Sequence, residues 1–140
     1  MYFVTWRLSG GQTVLTSGDR EVVARALLHF DQRRYNLYAY VVMDDHVHVV
    51  LSLSPNLRLE AVTHSWKSYT AHQLRRRTSR LAPVWQQESF DRIVRDEAEF
   101  HEKVDCVAGN PWKRWPSLET YRWVWVKGWP RSAGETPAPL

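Results

Sequence analysis

The sequence contains very little cysteine and no long apolar run. Its 140 residues include a single cysteine, Cys106, which cannot form an intramolecular disulfide. A disulfide-stapled secreted domain is therefore excluded, and a reducing compartment is expected. No apolar stretch approaches the roughly 20 residues that a membrane-spanning helix needs. Because the first residues also lack the basic start and apolar stretch of a secretory signal, we expect a cytoplasmic protein that does not enter a membrane.

Length and composition indicate one globular domain. A chain of 140 residues has room for a single core, and a hydrophobic share of 44% is typical of soluble proteins. The sequence shows no internal repeat and no interior linker. Residues 131–140 offer almost nothing to bury. We therefore predict one domain over residues 1–130, followed by a disordered tail over residues 131–140.

Positive charge is modest in total but concentrated in two stretches. The net charge is +4, yet residues 66–80 carry no acid and residues 110–131 carry only Glu119, whereas residues 88–105 are acidic. The second basic stretch is also rich in tryptophan, and cations with aromatic rings are typical of proteins that bind single-stranded nucleic acid. The candidate DNA-contacting residues are Lys67, Arg75, Arg76, Arg77, Arg80, Lys113 and Arg114. The alternatives are a solvated helix end for the arginines and a cover over a sheet face for the tryptophans.

Hydrophobic periodicity predicts an α+β fold. The predicted strands are residues 2–8, 35–43, 46–53 and 89–94, and the predicted helices are residues 19–33, 59–77 and 97–109. Asp96 and Glu99 have the spacing of a capping box before the last helix, and Gly109 and Pro111 predict its end. The order β-α-β-β-α-β-α is typical of a ferredoxin-like, split βαβ antiparallel sheet with its helices packed on one face.

Two histidines stand two residues apart in the third predicted strand. Side chains at i and i+2 of a strand point to the same face, so His46 and His48 can converge on one divalent metal ion, for which neutral imidazole is a good ligand. The alternative is a pair of partly buried histidines in an amphipathic strand. Two ligands do not complete a site, and the turn acids Asp44 and Asp45 are candidate third ligands or ordinary turn residues.

Three segments together resemble the single-tyrosine HUH transposases, especially those associated with repetitive extragenic palindromes. The resemblance covers about residues 1–116. The segments are Met43-Asp44-Asp45-His46-Val47-His48, Trp85-Gln86-Gln87-Glu88-Ser89-Phe90-Asp91 and the Asn110-Pro111 pair. The resemblance implies a metal-dependent strand transferase acting on single-stranded or hairpin DNA. It also implies that His46, His48 and a polar residue of the last helix, here Asn110, hold Mg or Mn.

The family places its tyrosine nucleophile four residues before the asparagine, and this sequence has Cys106 there. A cysteine sulfur stands closer to its backbone than a tyrosine hydroxyl, so Cys106 reaches less far. Three interpretations remain open for Cys106. It is a small buried residue in a protein without nucleophilic activity; another group, such as Tyr69 or a metal-bound water, cleaves DNA; or Cys106 itself attacks. Tyr69 has the alternative of a core aromatic, and Asn110 that of a helix terminator.

Three functional hypotheses follow from the resemblance and from the cysteine. The first is a transposase-like protein that cleaves and transfers single-stranded or hairpin DNA, as a monomer or a homodimer. The second is a nucleic-acid-binding module that has lost catalysis. The third is a nuclease that hydrolyses DNA with a metal-bound water.

Overall fold

A computed structural model describes residues 1–130 of the chain; the predicted tail at 131–140 lies outside the described residues. Five strands and three helices form within residues 1–130. In chain order they are β1 (Tyr2–Arg7), α1 (Ser17–His29), β2 (Tyr35–Val42), β3 (His46–Leu53), α2 (Leu59–Thr78), β4 (Phe90–Ile93), α3 (Glu97–Arg114) and β5 (Val124–Val126). The α+β class predicted from periodicity is confirmed, and none of the described helices is long and apolar enough to cross a membrane.

The strands form one antiparallel sheet in the order β4-β1-β3-β2-β5. The β2–β3 hairpin is closed by the turn at Asp44 and Asp45, where Met43 N–H donates to the carbonyl of His46 at 2.8 Å. β3 lies at the centre of the sheet, between β1 and β2. The short edge strand β5 was not predicted, because a three-residue strand is too short to show a period of two.

The helices lie on both faces of the sheet, so the predicted packing on one face is wrong. Val47, Val49 and Leu51 of β3 enter the core beneath α1 and α2, together with Trp6, Trp66 and Trp85. Val50 of β3 points the other way, into a second core that includes Val107 of α3. Successive residues of β3 point to opposite faces of the sheet, and both sets are buried. Each face must therefore be covered by other elements. The apolar stripe of α3 supplies the second cover.

The start of α3 follows its predicted capping residue, and its end departs from the prediction. The Asp96 side chain accepts a hydrogen bond from the Glu99 amide at 2.8 Å, as the sequence predicts. The predicted stop at Gly109 and Pro111 is wrong, because α3 continues to Arg114 with Pro111 inside it. Pro111 is buried against the sheet and its carbonyl accepts from Trp115 at 2.8 Å. The packing of this last turn therefore outweighs the cost of the helical hydrogen bond that Pro111 cannot donate.

A buried ion pair joins the start of α1 to the chain after α2. The Asp19 carboxylate, with no exposed surface, accepts from the Arg80 guanidinium at 2.8 Å. Asp19 also forms a capping box with Thr16. Burial by itself would raise the pKa of the Asp19 carboxyl, but the hydrogen bonds from Arg80 and from the Thr16 backbone, with the Arg80 charge, lower it below 3.8.

Removing the Asp19 charge should destabilise the fold. We expect Asp19→Asn to lower the free energy of unfolding by about 3 kcal/mol in urea denaturation at neutral pH, because the buried guanidinium of Arg80 then lacks its counter-charge. The matched control is Glu21→Gln, which removes a partly exposed partner of Arg122 and should cost less than about 1 kcal/mol.

The same pair gives a pH dependence. Since folding lowers the pKa of Asp19, its contribution is fully present above 3.8 and is lost as pH falls through the lower folded value. The difference in unfolding free energy between the wild type and Asp19→Asn should therefore shrink below that pH. A constant difference down to acid unfolding would contradict the assignment.

Candidate metal site and its surroundings

The two histidines lie on the face of the sheet that α3 covers. His46 and His48 alternate with Val47 and Val49, which are fully buried in the core beneath α1 and α2. The two imidazole rings are 4.6 Å apart between centroids, so the convergence predicted from their i, i+2 spacing is present in the structure. His48 also stacks on Phe3 of β1, with ring centroids 5.3 Å apart.

A neighbouring oxygen holds the Nδ1 atom of each histidine. His46 Nδ1 is 2.6 Å from Asp45 Oδ1, and His48 Nδ1 is 2.6 Å from Thr5 Oγ1. Both contacts direct the Nε2 atoms away from these partners, which is the arrangement in which metal-binding histidines are usually held. Thr5 lies opposite His48 in the β1–β3 register, so its role depends on strand pairing that the sequence alone does not show.

His48 is neutral at physiological pH. Burial, together with the charges of His46 and Arg7, lowers the pKa of His48 to about 3. Because a metal binds the neutral form of imidazole, the surroundings of His48 suit a ligand.

One stripe of α3 faces the histidine strand. Lys103, Val107, Asn110 and Arg114 follow the i, i+4, i+7, i+11 spacing of one helix face. Lys103 places its ammonium 5.2 Å from the centre of the Phe3 ring, and Arg114 forms an ion pair with Asp44 at 3.1 Å. Asn110 lies between these two contacts and within the helix, so its interpretation as a helix terminator is wrong.

Cys106 occupies the turn of α3 before Asn110 and is exposed. The interpretation of Cys106 as a small buried residue is therefore wrong. Since residues four apart lie above one another on a helix, Cys106 lies one turn from Asn110, at the edge of the stripe that faces the sheet.

Arg7 is a cation at this site that the sequence analysis did not select. It lies directly opposite His46 in the β1–β3 register, its side chain is exposed, and no described residue forms a hydrogen bond or ion pair with it. Thr5 and Arg7 alternate with Val4 and Trp6 of the opposite core, which places them on the histidine face. Only the pairing of β1 with β3 reveals this position.

The residues present fit a divalent metal with an incomplete protein ligand set. Within residues 1–130, no group of three or more His, Cys, Asp or Glu side chains is placed to hold a metal ion. The two imidazoles, whose Nδ1 atoms are engaged, are candidate nitrogen ligands through Nε2, and the amide oxygen of Asn110 is a polar group on the facing helix. Such a site leaves positions open for water or for a phosphate oxygen.

Comparison with protein families identifies the chain. The family described as "Transposase IS200 like" matches residues 1–94. The chain belongs to this family. The match includes His46 and His48 and ends before α3, so it does not extend to Cys106 or Asn110. No curated protein matches the chain.

Solved structures show the same fold as this IS200-like transposase. One is a REP-associated tyrosine transposase bound to a REP hairpin, with a TM-score of 0.73 and 16% sequence identity over 99% of this chain and 90% of that one. Another is a putative transposase from Deinococcus radiodurans, with a TM-score of 0.55 and 17% identity over 74% of this chain and 87% of that one. At these identities the likeness concerns the fold, and it includes the antiparallel sheet that carries the histidines.

Tyr69 lies away from the histidines of this IS200-like transposase. It lies on α2 in a groove shared with Ala26 and Phe30 of α1 and the loop that follows it, whereas the histidines face α3 on the other side of the sheet. The prediction of Tyr69 as a nucleophile is therefore wrong. The core interpretation is also wrong, since Tyr69 is 54% exposed.

Two predicted DNA contacts have structural roles instead. Arg80 is buried, and its guanidinium donates to the carbonyls of Thr13 and Val14 as well as to Asp19, so the prediction of Arg80 as a phosphate contact is wrong. The Lys67 ammonium donates to the carbonyls at 86 and 87 and to the hydroxyl at 89, at 2.8 to 3.1 Å. These three acceptors use all three donors of Lys67, and burial lowers its pKa.

The remaining cations lie on both sides of one end of the sheet. Arg75, Arg76 and Arg77 are exposed at the end of α2, and Arg77 lies 3.7 Å from Asp19. Lys113 is exposed in the last turn of α3, on the histidine side. The loop over residues 9–16 links the two sides, because the Leu15 amide donates to the Asp44 carbonyl at 2.7 Å. The cations therefore flank the end of β3 where His46 lies.

The tryptophans of the segment after α3 mainly cover the sheet. Trp125 is 4% exposed. The others pack partly buried against one core or both, and they are Trp112, Trp115, Trp123 and Trp129. These tryptophans therefore pack over the sheet, which is the second of the two roles that the sequence leaves open for them.

Loss of the Thr5 hydroxyl should destabilise the site. Thr5→Val leaves the partly buried Nδ1 of His48 without its partner, and we expect the free energy of unfolding to fall by about 1 kcal/mol in urea denaturation. Thr5→Ser keeps the hydroxyl and should recover most of the loss; equal destabilisation by both variants would contradict this role.

Proposed function

We propose that this IS200-like transposase binds single-stranded or hairpin DNA at the histidine face and holds Mg or Mn there through His46, His48 and Asn110. The observation that carries the proposal is the pair of imidazoles with both Nδ1 atoms held, on the face that α3 covers. When bound, a divalent metal would polarise a phosphate oxygen. The fold-matched REP-associated tyrosine transposase is bound to a REP hairpin, which supports hairpin DNA as the partner.

The chain's own cations fit a phosphodiester at this face. Arg7 is exposed beside His46, and Lys113 is exposed in the last turn of α3. Both side chains would neutralise phosphate charge as the strand approaches the metal position. Arg75 and Arg76, at the same end of the sheet, would contact the DNA further along.

Whether the residue at position 106 can attack DNA distinguishes a strand transferase from a protein that only binds DNA. Cys106 lies one turn before Asn110, where the family's tyrosine is expected, and its shorter side chain places the sulfur further from the sheet than a tyrosine hydroxyl would be. We therefore propose DNA binding with metal, without formation of a protein–DNA bond through Cys106. A second candidate, favoured by the open coordination positions of the two-histidine site, is hydrolysis of DNA by a metal-bound water.

Metal binding should require both histidines. We expect His46→Ala and His48→Ala, separately, to abolish binding of Mn measured by isothermal titration calorimetry, because one remaining imidazole and an amide do not hold the ion. His64→Ala on the opposite face is the control. Unchanged Mn binding in the two variants would overturn the site.

A tyrosine at position 106 should restore strand transfer. Cys106 is exposed, so Cys106→Tyr can be accommodated, and we expect it to form a covalent adduct with Mn and a labelled hairpin DNA on a denaturing gel. The phosphorus would bond to the tyrosine oxygen while its bond to the 3′ oxygen breaks, leaving a 3′-hydroxyl. The wild type should give no adduct, and Asp105→Tyr, one residue away on another helix face, is the matched control. An adduct in the wild type that Cys106→Ala abolishes would instead assign attack to Cys106, and cleaved DNA without an adduct would support hydrolysis.

Salt dependence tests the cations. For single-stranded DNA each lost phosphate contact should reduce the slope of log K against log salt by about 0.7. We expect the double variant Arg7→Gln, Lys113→Gln to reduce the slope by about 1.4, measured by fluorescence anisotropy. Arg34→Gln, at the opposite end of the sheet, should leave the slope unchanged.

A further inference from the structure

The last turn of α3 is tied to the turn that precedes His46. Arg114 places its guanidinium 3.1 Å from Asp44 and 3.5 Å from Asp45. The same Oδ1 atom of Asp45 lies 2.6 Å from His46 Nδ1. A continuous chain of polar contacts therefore runs from the helix that carries Cys106 and Asn110 to the first histidine.

The chemistry of these groups sets the direction of the hydrogen bond to His46. An ionised carboxylate only accepts hydrogen bonds, so the 2.6 Å contact with Asp45 favours a proton on His46 Nδ1 and leaves Nε2 directed away from Asp45. Arg114, which lies 3.5 Å from the same Oδ1 atom, fixes the position of that carboxylate. The imidazole thereby presents to the sheet face the nitrogen that a metal would use.

We propose that Arg114 is a positioning residue that acts through Asp45 to orient His46 and to couple the docking of α3 to the metal-binding strand. The inference rests on the proposed metal site. It gives Arg114 a role other than the phosphate contact expected from its place in a basic stretch. It also implies that metal affinity depends on a residue that does not touch the metal.

Stability alone does not explain this ion pair. The side chains of Arg114 and Asp45 are 41% and 40% exposed, and ion pairs at such exposure contribute little to the free energy of unfolding. Their arrangement instead matters for the geometry of His46. Arg114 also pairs with Asp44, whose side chain is 16% exposed, so the free energy of unfolding of each Arg114 variant, measured beside its metal affinity, separates the effect on the histidine from an effect on folding.

The test compares Arg114→Gln with Arg122→Gln on the full chain. Both replace an arginine that pairs with carboxylates, but Arg122 pairs with Glu21 on α1, 3.1 Å away, and not with a turn next to a histidine. We expect Arg114→Gln to weaken Co or Mn binding by about 10-fold, measured by calorimetry, and Arg122→Gln to leave it unchanged. Arg114→Lys should recover part of the loss, because it keeps the charge with a single point of contact.

A second readout needs no metal. The ¹⁵N chemical shifts of the His46 ring report which nitrogen carries the proton, and we expect the Nδ1–H form in the wild type and a mixture of forms in Arg114→Gln. Asp45→Asn should weaken metal binding by about 10- to 100-fold. Adding Arg114→Gln to Asp45→Asn should cause little further loss if the two act in series.

The outcomes separate the inference from the proposed function. Equal metal affinity and equal His46 shifts in the wild type and Arg114→Gln would overturn the inference and leave the metal site standing. A wild type that binds neither Mn nor Co would overturn the metal site and, with it, this role. Additive losses in the double variant would show that Arg114 does not act through Asp45, and would also overturn the inference.

Discussion

The alternation of side chains along β3 is the constraint on which the rest of the structure depends. β3 is central in the sheet and buried on both faces. Val47, Val49 and Leu51 fill the core beneath α1 and α2, so His46 and His48 must point to the opposite face. A shift of one residue in register would exchange the valines and the histidines and would lose both the core and the site. The tryptophans that pack against Val47 and its neighbours therefore also determine where the histidines point.

The histidine face is organised by its partners rather than by the histidines alone. Thr5 on β1 holds His48, and Asp45 in the hairpin turn holds His46. α3 closes over this face, and its Arg114 reaches back to the same turn. The helix with Cys106 and the strand with the histidines are therefore joined twice, by the packing of Val107 and by a polar chain. These two links fix the relative positions of the segments that carry the candidate ligands.

Residues with the same chemistry have different roles because the fold places them in different surroundings. Arg80 and Arg76 both lie in one basic stretch, yet the first is buried in a network with Asp19 and the second is exposed. Tyr69 and Cys106 are both candidate nucleophiles by their chemistry, but only Cys106 lies on the helix that covers the histidines. Charge counts along a sequence do not record which face a residue occupies, so a basic stretch in the sequence does not by itself define a binding surface.

Local patterns determined four of the five strands, the starts of α2 and α3 and the His46–His48 convergence, because period, capping and i, i+2 spacing act within a few residues. The bounds of β3 were predicted to the residue. Tertiary structure decided which face each helix covers, how far α3 extends past Pro111, and which cations remain free. It alone placed Thr5 and Arg7 beside the histidines and Arg114 beside Asp45. These contacts join residues more than 38 positions apart, and strand register and helix docking set such distances by burying the apolar surface of the whole chain.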